Sequence, residues 1–123
     1  MTSHRFLTAL AGLNGFLAVA AGAFGAHAAT DEAARMLLRT GAQYQLAAAA
    51  AALAILALSR LKGAALSAGL LLAGGLIFGL SLDAIVITGI RTFGAITPVG
   101  GVLMLAGFGW LAISALRSNA DAL

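Results

Sequence analysis

Four long stretches without Asp, Glu, Lys or Arg are the feature that most limits how this chain can fold. They cover residues 6–30, 40–59, 63–82 and 92–116. Each is close to the roughly 20 residues that a helix needs to cross a bilayer. Only helices and closed barrels satisfy their backbone hydrogen bonds inside lipid, and the alternating pattern of barrel strands is absent.

These stretches predict an all-α fold: an integral membrane four-helix bundle in which residues 1–123 form a single domain. The predicted spans cover about 6–28, 41–59, 63–90 and 97–117. The composition agrees with a membrane protein, because 62% of the residues are hydrophobic and 9% are charged, whereas a soluble domain has about 25% charged residues.

The basic residues indicate lipid as a partner and exclude nucleic acid. All seven are dispersed along the chain and flank the hydrophobic spans, so they form no basic patch. The chain has no cysteine, which excludes disulfides and thiolate chemistry. It also has no cluster with metal-ligand spacing and no phosphate-binding glycine loop. We therefore expect no catalytic residue, no metal, no cofactor and no enzymatic activity.

The N-terminal segment has two interpretations. Its basic start, its apolar region and the A-x-A sequence Ala26-His27-Ala28 resemble a secretory signal peptide. The apolar region, however, runs from Phe6 to beyond Ala21, which is longer than the roughly 7–15 residues of a signal core. The length favours an uncleaved first span.

The segment between the first two spans resembles a short interfacial helix. Thr30, Asp31 and Glu32 form an N-cap-like start with acids in the first turn. The apolar residues 36–38 lie between Arg35 and Arg39, as expected for a helix that lies against lipid headgroups. We therefore predict an interfacial helix over about 31–39.

Small residues recur at helical spacing within the spans. Gly75-x-x-x-Gly79 has the spacing that lets two helix backbones approach closely in lipid. Small pairs with the same spacing occur in the first span, which strengthens the packing interpretation. The predicted packing residues are Gly15, Gly22, Gly25, Gly75 and Gly79.

Polar residues are concentrated at one end of the predicted bundle. With an even number of crossings, the end of span one, the start of span two, the end of span three and the start of span four lie on one side of the membrane. This topology predicts a polar cluster of His27, Gln43, Tyr44, Gln45, Asp83, Arg91 and Thr97. Asp83 is either a protonatable or cation-binding group, or a carboxyl that hydrogen-bonds helices together; the lack of evident partners favours the second role.

The basic residues also give a weak signal for orientation. Four of them lie on the side of the termini and three on the other side. By the positive-inside rule, this difference favours termini in the cytoplasm.

Several segments resemble a known family. In order along the chain, "GAFGAHA", "QYQ", "TGIRTFGAITPVGG" and "AGFGW" are similar to the family called domain of unknown function 423. The resemblance implies a four-helix protein of the bacterial inner membrane and supplies no activity. Family members commonly have a histidine after the Tyr-Gln pair, where this chain has Ala47–Ala52, and a tyrosine where it has Asp83. A site built from two histidines is therefore not expected here.

Two functions remain open at this point. The first is a structural or interaction protein that packs through small-residue helix faces, either as a homo-oligomer or with another membrane protein. The alternative is a small transporter or channel component that uses the polar cluster around Asp83. A conduction path predicts polar residues through the middle of the spans, yet beyond Asn14 and Ser67 the middle is apolar. This pattern favours the first function.

Overall fold

The computed structural model describes residues 2–58 and 60–122, and within these ranges it is all-helical. Four helices are long and apolar enough to cross a membrane. A short 3₁₀ helix, Arg91–Ala95, precedes the last of them. The helices are α1 (Thr2–His27), α2 (Glu32–Leu58), α3 (Ala64–Thr88) and α4 (Thr97–Ala122).

The predicted interfacial helix over 31–39 is wrong, because α2 continues without a break from Glu32 to Leu58. Leu38 is buried and packs against α1, where a Cβ placed on Gly25 would lie 3.1 Å from the Leu38 Cβ. Gly41, at the predicted boundary, is a packing position and not a helix end, because its added Cβ would lie 3.4 Å from the Gly79 Cα. The apolar residues of this segment therefore include one that contacts a neighbouring helix instead of headgroups.

Arg35 is accommodated at the start of this continuous helix by local hydrogen bonds. Its guanidinium donates to the Ala29 carbonyl over 2.9 Å and to the Glu32 carboxylate over 3.2 Å. The first turn of α2 can therefore hold the charged Arg35 side chain, which the sequence pattern had predicted to lie among lipid headgroups.

Glycines in the left-handed conformation flank α3 at both ends. Gly89 ends the helix with φ +73°, and its N–H donates to the Ile85 carbonyl over 2.7 Å, which is a common way to terminate a helix. Gly63 precedes the helix with φ +88°. A side chain at Gly63 would also collide with the Trp110 indole nitrogen, so conformation and space both require glycine there.

The third helix, α3, is the centre of the packing. It contacts α2 and α4 extensively and α1 over a smaller area, while α1 packs mainly on α2. Leu71 and Leu72 of α3 are completely buried, and Met104 of α4 joins the same cluster. The other buried members of this cluster are Ala11, Ala48, Ala52, Ile55 and Ala68. The interior is therefore filled largely by alanine and leucine.

Two separate sets of glycines bring neighbouring helices close to α3. Towards α2, a Cβ on Gly75 would lie 2.9 Å from the Ala48 Cβ. Towards α4, a Cβ on Gly74 would lie 2.6 Å from the Gly100 carbonyl oxygen, and a Cβ on Gly107 would lie 2.9 Å from Leu71 Cγ. Adjacent glycines of α3 thus serve different interfaces.

Candidate functional site

The seven residues of the predicted polar cluster occupy different surroundings. His27 at the end of α1, Gln43 on α2 and Arg91 at the start of the 3₁₀ helix are exposed. Tyr44 is 54% exposed, and its ring lies 5.0 Å from that of Phe78 on α3. The structure thus brings Tyr44 against α3 and leaves the first three residues on the surface.

Gln45 belongs to a buried amide pair. Its Nε2 donates to Asn14 Oδ1 over 3.1 Å, and both side chains are completely buried. Asn14 Nδ2 in turn donates to the Leu10 carbonyl over 3.0 Å. The pair therefore links α1 to α2 by a hydrogen bond inside the membrane-spanning part of the protein.

The other oxygen of the Gln45 amide faces α3. Within the described part of the chain, Gln45 Oε1 is buried and has no hydrogen-bond donor. A Cβ placed on Gly79 would collide with it, so the Gly79 Cα–H group lies against this oxygen. Such Cα–H contacts are weak polar interactions that occur where helices approach closely. Three helices thus meet at the Asn14–Gln45 pair.

Thr97 forms a second polar contact between helices. Its Oγ1 lies 2.6 Å from Ser81 Oγ on α3. Ser81 Oγ also donates to the Phe78 carbonyl over 3.0 Å, which uses its only proton, so Thr97 donates to Ser81. This bond joins the first residue of α4 to α3.

The carboxyl group of Asp83 has an oxygen whose hydrogen-bonding capacity the described residues do not use. The side chain is partly buried, and its Oδ1 is enclosed without a hydrogen-bond partner in the described ranges. Among the described residues, no group of three or more His, Cys, Asp or Glu side chains could hold a metal ion.

The predicted packing glycines also differ in their surroundings. Gly75 and Gly79 contact α2, as described above. A Cβ on Gly22 would make an ordinary contact, 3.5 Å from the Ala42 Cβ, and Gly25 contacts Leu38. Gly15 takes no part in close packing within the chain, because a Cβ placed there would meet nothing within 4 Å. Gly22 and Gly25 also line a groove of about 330 Å³ between α1 and α2.

Comparison with known proteins identifies the family. The family described as "Protein of unknown function (DUF423)" matches residues 21–101, which include the Asn14 partner Gln45 and both polar residues Ser81 and Thr97. The chain belongs to this family. The resemblance seen in the sequence motifs is therefore confirmed.

The relatives of this DUF423 protein are named as membrane proteins. The UPF0382 inner membrane protein YgdD of Escherichia coli K12 is 37% identical over 95% of this chain and 93% of its own length. A UPF0382 membrane protein of Haemophilus influenzae is 38% identical over 94% of this chain and 97% of its own length. The UPF0382 membrane protein YwdK of Bacillus subtilis is 34% identical over 88% of this chain and 94% of its own length.

No solved structure matches the chain significantly. The names of the relatives and the four apolar helices together establish a multi-pass membrane protein of a family without an assigned activity.

Sequence reasoning missed the glycines of α4 that contact α3. Gly100 and Gly107 are seven residues apart and therefore lie on one helix face, so a signal was present. The Asn14–Gln45 hydrogen bond spans 31 positions, and no local pattern pairs the two residues. From the sequence, Asn14 stands out only as a polar residue in the middle of the first span, without its partner.

Proposed function

We propose that this DUF423 protein is a structural or interaction protein of the membrane, whose outer helix faces receive a helix of another subunit. The observation that carries this proposal is a pair of exposed glycines, Gly12 on α1 and Gly109 on α4. Each lies near the middle of its helix, and a Cβ on either would meet nothing within 4 Å. The role requires no catalytic residue.

An exposed glycine in the middle of a membrane helix needs a physical explanation. Glycine lowers helix stability by roughly 0.5–1 kcal/mol relative to alanine. In membranes, small residues are enriched where helix backbones approach one another. The glycines that contact other helices within this chain already follow that rule, so Gly12 and Gly109 are well suited to close contact with a partner.

The surroundings of Gly109 support the same role. Val102 and Leu105 of α4 are 63% and 74% exposed, so they flank Gly109 with apolar side chains that suit lipid or a partner helix. The partner is a second copy of the chain or another membrane protein. We further propose that both termini lie in the cytoplasm, because four of the seven basic residues lie on their side.

Crosslinking from single cysteines tests this proposal. Since the chain contains no cysteine, Leu105→Cys carries a photoreactive label at one position, and Leu53→Cys on the exposed face of α2 is the matched control. In native membranes we expect a protein adduct of defined mass from Leu105→Cys and only lipid adducts from Leu53→Cys. Adding Gly109→Leu is expected to reduce the protein adduct at least tenfold without changing the thermal stability of the isolated chain.

The adduct mass distinguishes a second copy from a different protein. Lipid adducts alone at both positions would contradict the proposal, and so would a protein adduct that Gly109→Leu leaves unchanged.

Transport is the second candidate, and the enclosed Asp83 Oδ1 is the observation that favours it. A carboxyl without a partner at membrane depth is costly and often functional. Against it, the core cluster around Leu71 and Leu72 is apolar, and the buried polar residues Asn14, Gln45 and Ser67 carry no charge, so the described part of a single copy shows no charged path for an ion.

Asp83→Asn distinguishes the two candidates. For a structural role, we expect proteoliposomes with an internal pH-sensitive dye to show no flux above empty vesicles, and Asp83→Asn to retain the fold because the amide has nearly the same size and can still hydrogen-bond. Flux in the wild type that disappears in Asp83→Asn would replace the structural proposal with transport. Asp83→Glu is the control that keeps the titratable group.

A further inference from the structure

A basic pocket lies at the end of the protein that carries the α2–α3 turn and the last turns of α4. Its volume is about 570 Å³, and Gly63 is one of the residues that line it. The other residues that line it are Arg60, Lys62, Trp110, Ser114, Arg117 and Ser118.

Two distant parts of the chain supply the positive charge of this pocket, so the expectation that the dispersed basic residues form no basic patch does not hold at this end of the protein. Arg60 and Lys62 come from the turn after α2, while Arg117 comes from α4, and all three side chains are exposed. The sequence has four acidic residues. Asp31 and Glu32 lie at the opposite end of the helices, and Asp83 lies in the last two turns of α3, towards that same end; the fourth, Asp121, follows Arg117 by four positions.

Neutral donors and a helix start complement the three cations. Ser114 and Ser118 place hydroxyl groups along the α4 side of the pocket. On the other side, α3 begins at Ala64, next to the lining residue Gly63, and the Ala64 N–H donates to the Leu61 carbonyl over 3.2 Å. The partial positive charge of a helix N-terminus favours an anion.

The contact between Gly63 and Trp110 fixes the turn relative to α4. The indole nitrogen of Trp110 lies directly against Gly63, and a Cβ on Gly63 would also lie 3.1 Å from Ser114 Oγ. Because Gly63 packs on α4 in this way, Lys62 beside it and Arg60 three positions before it line the same pocket as the α4 residues. The pocket therefore has a packed wall, formed by Gly63 and Trp110, beside its three exposed cations.

We propose that this pocket binds the phosphate group of an anionic lipid headgroup. Arginine and lysine side chains bind phosphate through charge-assisted hydrogen bonds, and basic pockets between membrane helices bind anionic headgroups. The position at the helix ends, beside a tryptophan of the kind that lies at the membrane–water interface, supplies a lipid phosphate at high local concentration. A soluble phosphate has the same chemistry, and the experiment separates the two sources.

Trp110 provides the readout, because it is the single tryptophan of the chain. We would titrate the delipidated, detergent-solubilised full-length protein with phosphatidylglycerol, phosphatidylcholine or inorganic phosphate and follow Trp110 fluorescence, with native mass spectrometry to count bound lipids. We expect saturable binding of phosphatidylglycerol, and much weaker binding of phosphatidylcholine and inorganic phosphate.

Variants locate the site. Removing one cation is expected to weaken binding roughly fivefold, so Arg60→Gln combined with Arg117→Gln should weaken it more than tenfold. Arg39→Gln combined with Arg91→Gln removes two exposed arginines from the other end and should leave affinity unchanged. Arg117→Gln alone, at an exposed position, gives the measurement if the double variant fails to fold.

Three results would overturn the proposal. Equal affinity for phosphatidylcholine would remove the requirement for an anion. Inorganic phosphate that binds as tightly as phosphatidylglycerol would assign the pocket to a soluble phosphate compound. An equal loss of affinity in the Arg39/Arg91 variant would show that overall charge, and not this pocket, governs binding.

Discussion

Replacing Gly100 with alanine is expected to destabilise the protein by about 3 kcal/mol, whereas the same replacement at Gly101 is expected to be neutral or stabilising by up to about 1 kcal/mol. The two residues are neighbours on α4 and differ in what faces them. A Cβ on Gly100 would lie 2.6 Å from both the Gly74 carbonyl oxygen and the Phe78 amide nitrogen, while a Cβ on Gly101 would meet nothing within 4 Å.

The expected loss of stability at Gly100 is at the upper end of the range for overpacking, because the atoms that the new Cβ would meet belong to the main chain of α3. A flexible side chain can move aside, but α3 must shift as a whole to admit the new methyl group. The gain at Gly101 follows from the higher helix propensity of alanine.

Unfolding of both variants by SDS in mixed micelles, followed by far-UV circular dichroism, measures this difference. Equal stability of Gly100→Ala and Gly101→Ala would contradict the close approach of α3 and α4.

The buried amide pair should show strong coupling. Asn14→Leu is expected to cost about 1–2 kcal/mol, because the Gln45 amide would lose its acceptor in an apolar interior. Gln45→Met should have a similar cost, since it leaves Asn14 Oδ1 without its donor. The double variant replaces both polar groups with apolar ones of similar shape, so it should be more stable than the sum of the two single effects predicts.

A double-mutant cycle in the same unfolding assay provides the test, and we expect a coupling energy of about 1 kcal/mol. Asn14→Leu combined with Gly101→Ala is the matched control cycle, because Gly101 lies in open space on another helix and its effect should simply add. Additive effects of Asn14→Leu and Gln45→Met would show that the hydrogen bond makes no net contribution.

The spans could be predicted from the sequence because charge is expensive in lipid, and the four uncharged stretches leave few alternatives. The segment at 31–39 could not, because arginines beside apolar residues suit a headgroup layer and a helix–helix contact equally well. Burial of Leu38 against Gly25 depends on where α1 lies, and local periodicity does not contain that information.

The residues that pack helices closely together could be predicted only in part from the sequence. Gly75-x-x-x-Gly79 marks one close contact of α3, but the spacing does not name the neighbour. Because α3 lies between α2 and α4, it needs small residues on two faces. Gly74, which directly precedes Gly75, supplies the small residue that faces α4. The Ser81–Thr97 bond joins α3 to α4 across a turn whose path the sequence does not reveal, so Thr97 could be placed on one side of the membrane but not paired with Ser81.

The two glycine interfaces of α3 differ in how freely they can evolve. Towards α2, the atoms that would block a larger residue at Gly75 or Gly79 are mainly the side chains of Ala48 and Gln45, so a paired exchange can make room by shortening the opposing residue. Towards α4, the atoms that block Gly74 and Gly100 are largely main-chain atoms of the opposing helix, which no substitution can shorten. Substitutions at the α2–α3 interface can therefore be accepted when a second substitution on the opposing helix makes room. At the α3–α4 interface no second substitution can do so, and both glycines must be kept together.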